Sequence, residues 1–236
     1  MGDLATATVA VAIMALGCAF QAAIGIGLAL FVVPVFALID PTYIPGPMLL
    51  AGTVLAVMSA WRERHAIDRG GLLLSLAGLL IGTIIGAVAL KAFQGPALLK
   101  VFGVLVLLAV VLSILGRPLK PTGTSLSLAG GVAGIMGTMV GIHGPPIALV
   151  FQNANPAAAR AMLGAFFTAA YLSSVAALGA VGLFGWREVA RTVILLPGVG
   201  IGLVAAPYIT PFIDRNRLRW AILAVSTISA LILLAR

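Results

Sequence analysis

The stretch Gly137-Thr138-Met139-Val140-Gly141-Ile142-His143-Gly144-Pro145-Pro146-Ile147-Ala148-Leu149-Val150-Phe151-Gln152-Asn153 lies inside a long apolar run and holds no Asp, Glu, Lys or Arg. It cannot form one straight helix. Gly141 and Gly144 loosen the backbone, and the Pro145-Pro146 pair forbids continuation of the incoming helix. Proline is tolerated in the first turn of a helix, so a second helix can start at Pro145. Any fold of this chain must accommodate a helix broken within an apolar segment.

The solvent around that break follows from composition. Of 236 residues, 62% are hydrophobic and 8% are charged, against about 25% charged in a soluble domain. A lipid bilayer is the expected partner of such a chain. The six acids, Asp3, Asp40, Glu63, Asp68, Glu188 and Asp214, all fall in or beside short polar breaks. The basic residues do the same, so the net charge of +8 sits at the membrane rims. That is the Lys/Arg excess of cytoplasmic loops. With no soluble domain to carry a basic face, nucleic-acid binding is not expected. The single cysteine, Cys18, permits no intramolecular disulfide and no usual zinc site. The N-terminus has no basic n-region and a first apolar run longer than a signal core, so no cleaved targeting peptide is expected.

Residues 4–38 form one apolar run, interrupted at Gly25-Ile26-Gly27 and closed by Pro34. Pro41, Pro45 and Pro47 then mark a rigid surface turn. Apolar segments follow at 48–61, 70–90, 97–115, 124–153, 157–184, 190–209 and 218–235. The full spans approach the roughly 20 apolar residues that a tilted membrane helix needs. Gly116-Arg117-Pro118-Leu119-Lys120-Pro121 divides the chain into a first membrane repeat (1–116), a connecting loop (117–123) and a second membrane repeat (124–236). The order of features is kept between the halves. Gly25-Ile26-Gly27 aligns with Gly141-Ile142-His143, Gly82 with Gly198, and Gly86 with Gly202. Internal duplication is a signature of secondary transporters. The fourfold spacing of Gly78, Gly82 and Gly86, and of Gly198 and Gly202, reads as close helix packing.

The expected fold is an all-α polytopic membrane protein. It has two homologous repeats, each with a broken or re-entrant helical segment plus about three transmembrane helices. If both broken segments cross the membrane, basic residues divide eight to six between its sides. If both are re-entrant, Arg62, Arg64, Arg69, Arg117, Lys120, Arg160, Arg215, Arg217 and Arg219 share one side, nine against five. The second arrangement follows the positive-inside rule better. It makes the halves inverted, with both termini outside.

A break at membrane depth is tolerated where it is buried in protein or lines a polar cavity. Half-helices resuming at Leu28 and Pro145 would point their N-termini into the protein. Such ends carry free N–H groups and the positive end of the helix dipole, and two of them can bind an anion without a basic side chain. No acid lies mid-span, which argues against a carboxylate-based cation site or proton relay. His143 is the ionisable group at the break, a donor to an anion, a proton carrier, or a neutral histidine bonded within the fold. Gln21, Gln152 and Asn153 flank the breaks and could donate to substrate oxygens; Gln152 and Asn153 equally suit capping of a half-helix. The candidate substrate-binding residues are Gln21, Gly25, Ile26, Gly27, Gly141, His143, Gly144, Pro145, Gln152 and Asn153. Thr138 and Thr168 are secondary hydroxyls. No catalytic signature is present, neither His-Glu-x-x-His, nor a Walker A loop, nor Gly-x-Ser-x-Gly. No enzyme, metal or cofactor is expected.

These residues resemble the sulfite exporter TauE/SafE family of membrane transporters. The family shows a Gly-Ile-Gly-Gly-Gly-type break followed by a Pro-containing apolar run, once in each half. Here the copies read Gly25-Ile26-Gly27-Leu28-Ala29 with Pro34, and Gly141-Ile142-His143-Gly144-Pro145-Pro146. The Arg64-His65-Ala66-Ile67-Asp68 loop is also similar to the family's polar loop. The resemblance covers nearly the whole chain. It implies movement of sulfite, sulfonates or related organic anions across the inner cell membrane. Leu28 and Ala29, and His143, depart from the family's glycines at positions that would line a site. The reading is thus a secondary transporter of small anions working by alternating access, with a channel or a membrane assembly factor as alternatives. Self-association is left open by the sequence.

Overall fold

The structure is a computed structural model, which describes residues 2–24, 27–93 and 96–235. The described residues form helices joined by short loops, with no strand among them. In chain order the helices are α1 (Gly2–Ile24), α2 (Leu28–Ile39), α3 (Gly46–Arg62), α4 (Arg69–Ala92) and α5 (Pro96–Leu115). Then come α6 (Gly123–Val140), α7 (Gly144–Phe151), α8 (Pro156–Ala180), α9 (Trp186–Ile209) and α10 (Arg215–Ala235). Seven of them, all except α2, α3 and α7, are long and apolar enough to cross a membrane. The protein is a multi-pass membrane protein.

Polar residues are spent on helix starts. The Asp68 carboxylate accepts the Gly70 and Gly71 N–H groups, both at 3.1 Å, and opens α4. Thr122 and Ser125 cap α6 reciprocally. The Asn155 side chain accepts the Ala157 N–H at 2.9 Å ahead of α8, with Pro156 at the first helical position. Glu188 accepts the Gly185 N–H at 2.8 Å, and Asp214 accepts those of Asn216 and Arg217. Each cap satisfies a donor that the helix cannot. Away from these ends the helices are apolar, and the outer side of α4 leaves Leu73, Ile81, Ile84 and Val88 exposed. Toward lipid that exposure carries no penalty.

The glycines set how closely the helices approach. Gly78 and Gly82 of α4 face the Ser127 and Gly131 carbonyls of α6, while Gly130 and Gly134 of α6 face the Ser75 and Leu79 carbonyls of α4. A methyl group at any of the four would run into backbone. Gly198 and Gly202 of α9 meet the Val11 and Ala15 carbonyls of α1 in the same manner. Backbones so close pack by dispersion, the main attraction between helices in lipid. α3 packs along α8, with Gly52 of α3 against Tyr171 and Gly164 of α8 against Ala60. α5 and α10 run antiparallel, with Gly103 against Ala230 and Leu234, and Arg219 donating to the Ser113 carbonyl at the other end.

The two short helices fold back along their predecessors. Phe36 and Ile39 of α2 share a shallow pocket with Thr6, Ala10 and Ile13 of α1. The Leu119 N–H, ahead of α6, donates to the Leu149 carbonyl near the end of α7 at 2.9 Å. α1 and α2 therefore begin and finish at one end of the bundle. α6 and α7 begin and finish at the other, where Arg160 of α8 also bonds Glu63 at 2.9 Å.

Candidate functional site

α6 stops where Gly141 takes φ 87, a left-handed conformation suited to glycine, and donates its N–H to the Gly137 carbonyl at 2.7 Å. Ile142 and His143 link it to α7, whose first three positions are Gly144, Pro145 and Pro146. Prolines have no N–H, so this helix start presents one donor, that of Gly144. α2 starts differently. The Leu28 N–H donates to Gln21 Oε1 at 3.3 Å, so a side chain from α1 caps the helix that follows it. Ala29 and Leu30 keep N–H groups without an intrahelical partner.

The two helix starts meet. Gln21, Gly27, Ala29 and Leu30 from the first half and Ile142, Gly144 and Pro145 from the second line one small void, completed by Phe167 and Tyr171 of α8. Its free interior accommodates roughly one water molecule. Gln21 and Tyr171 are 8% and 3% exposed. Oε1 of Gln21 is taken by Leu28, which turns the carboxamide NH2 into the free group. Among the described residues, no hydrogen bond is made by that NH2 or by the Tyr171 hydroxyl.

His143 stands behind the void and does not line it. Its ring packs on Gly137, where a methyl group would collide with it. Nε2 is hydrogen-bonded to Ser174 Oγ at 3.1 Å, and Ser174 Oγ to Thr138 Oγ1 at 2.8 Å. The ring also stands edge-on to Tyr171, centroids 5.3 Å apart. Nδ1 is buried without a well-formed hydrogen bond, although the Gly141 backbone is within reach.

The family is then decided by one comparison. The model of the family described as Sulfite exporter TauE/SafE matches residues 9–233. The chain belongs to the TauE/SafE family. Comparison with curated proteins found no match, and neither did comparison with solved structures. As a family member the protein is a membrane transporter.

In this TauE/SafE chain the residues singled out from the sequence do not all converge. Gln21, Gly27, Gly144 and Pro145 line the void. Gly25 and Ile26 lie outside the described residues. Gly141 is buried against Met48 and Val33, one step behind the wall. Gln152 and Asn153 are exposed at the far end of α7, where Gln152 follows the last helical residue. Thr168 donates to the Gly164 carbonyl within α8, as a membrane threonine commonly does. Phe167, Tyr171 and Ser174 escaped the sequence reading. Their spacing of four and three places them on one face of α8, but nothing in sequence marks which face meets the breaks. Among the described residues, no three of His, Cys, Asp and Glu come together.

Proposed function

We propose that the protein is a secondary transporter of small oxyanions, sulfite and sulfonates foremost. The anion would bind between the starts of α2 and α7 and cross by alternating access. One observation carries this reading: two helix N-termini from different halves face one small void with the Gln21 carboxamide beside them. The α2 start brings the N–H groups of Ala29 and Leu30, the α7 start that of Gly144, and each brings the positive end of a helix dipole. Among the described residues, no carboxylate lines the space.

The packing pattern supports two inverted repeats. α4 against α6 becomes α9 against α1 when the halves are exchanged, and both pairs interlock through glycines on the fourth helix of a half. By packing partners, Gly78 and Gly82 correspond to Gly198 and Gly202, one helical turn from the pairing that sequence alignment suggests. The return of α2 along α1 and of α7 along α6 supports re-entrant hairpins entering from opposite ends. That arrangement gives the nine-to-five division of basic residues and both termini on the less basic side. It also gives alternating access a simple form, one repeat rocking against the other around the shared void.

The test is flux through the purified protein in sealed vesicles, with sulfite, short alkylsulfonates and carboxylates offered in turn. Saturable, anion-selective flux supports the reading. Non-saturating conduction would assign a channel, and no flux of any anion would remove transport of this class.

A further inference from the structure

We propose that the Tyr171 hydroxyl is a specificity-determining donor to the transported oxyanion, acting with the Gln21 carboxamide. The inference rests on the reading of the void as the anion site and adds a residue that the helix breaks do not contain. Both side chains are more than nine-tenths buried and both line the void. Both have a donor with no protein partner among the described residues, and both residues line the void, where a ligand oxygen could take up that donor. Gln21 is committed in sense as well as position. Its oxygen is held by the Leu28 N–H, which leaves the NH2 as the donor it can offer the void.

Tyr171 is held from two sides. Its ring stacks on Phe167 at 5.9 Å with an interplanar angle of 8°, and His143 stands edge-on to it. His143 is fixed in turn by Ser174. His143 is accordingly a positioning residue, acting on the anion through the tyrosine ring. The donors approach from three directions: α8 through Tyr171, α1 through Gln21, and the starts of α2 and α7 through backbone N–H. That set suits a ligand with several acceptor oxygens about one centre, and disfavours a halide, which has no separate oxygens to match.

The experiment compares the unsubstituted full-length protein with Tyr171→Phe in detergent, measuring melting temperature without ligand and with sulfite, ethanesulfonate or chloride. Flux of sulfite in vesicles is read in parallel. Tyr171→Phe should leave the melting temperature without ligand unchanged, because the hydroxyl has no protein partner among the described residues. It should weaken sulfite binding roughly tenfold, the loss of one hydrogen bond to a charged group, and narrow the preference for sulfite over chloride. Gln21→Glu places a like charge against the anion and should abolish sulfite binding; as a second variant it keeps the test decisive if Tyr171→Phe fails to fold. Unchanged sulfite affinity and selectivity in Tyr171→Phe would overturn the inference, as would a loss explained by a lower melting temperature without ligand. Sulfite binding that survives Gln21→Glu also overturns it. If the unsubstituted protein binds no anion, the site itself is refuted and this inference with it. Binding that persists unaltered in the variants refutes the donors alone.

Discussion

The ring of His143 stands edge-on to that of Tyr171, with centroids 5.3 Å apart and planes at 61°. Through this contact the break after α6 meets α8, the helix that closes the void. His143→Gly should remove the ring from its place between Gly137, Ser174 and Tyr171. The expected loss is about 3 kcal/mol, typical of deleting a large buried side chain, together with lower sulfite affinity. Thermal unfolding and sulfite titration on the same sample check both. An unchanged anion profile would leave His143 with a purely structural part.

Gly137→Ala approaches the same contact from below. The new methyl group collides with the imidazole, so the ring must move or the helix must bend. Overpacking of this kind destabilises by about 1–3 kcal/mol. Gly200→Ala is the matched comparison, since nothing lies within 4 Å of its added carbon. It should be neutral or stabilise by up to about 1 kcal/mol. Melting temperatures of the two variants give the answer.

Gly82 and Gly131 bring α4 and α6 together at backbone distance. Gly82→Leu should force the helices apart and lower folded yield more than any other single change named here. Leu73→Ala, at a residue 68% exposed toward lipid, should leave yield unchanged. Monodisperse yield from one expression batch compares them.

Arg160 and Glu63 pair at 2.9 Å between α8 and the end of α3, with side chains 53% and 28% exposed. A pair this open to solvent contributes about 0–1 kcal/mol. Glu63→Gln should therefore shift the melting temperature little. Asp68→Ala, which uncaps α4, should destabilise by about 1 kcal/mol.

Much of this architecture is legible in the sequence because a bilayer imposes few solutions. Apolar length predicts the spans, and Pro145-Pro146 beside Gly141 predicts where α6 must stop. Gly78 and Gly82 announce close packing by spacing alone. The void was less legible. Tyr171 lies 28 residues beyond His143 in an unbroken helix, and no local signal distinguishes it from a lipid-facing tyrosine. Gln152 and Asn153 are near the break in sequence, but α7 carries them a helix length from the void, at 1.5 Å per residue. His143 stands out in the sequence as the ionisable group at the break, but its partner Ser174 is fixed only by how α8 meets α6.

The central claim is that the starts of α2 and α7 hold an oxyanion between them. The most direct measurement is a crystal structure of the full-length protein with selenite, a heavy-atom counterpart of sulfite, using the anomalous signal of selenium. The account predicts one peak between Gly27 and Gly144, within hydrogen-bond reach of Gln21 and Tyr171. A selenium peak elsewhere in the bundle, or none at concentrations that inhibit sulfite flux, would contradict it.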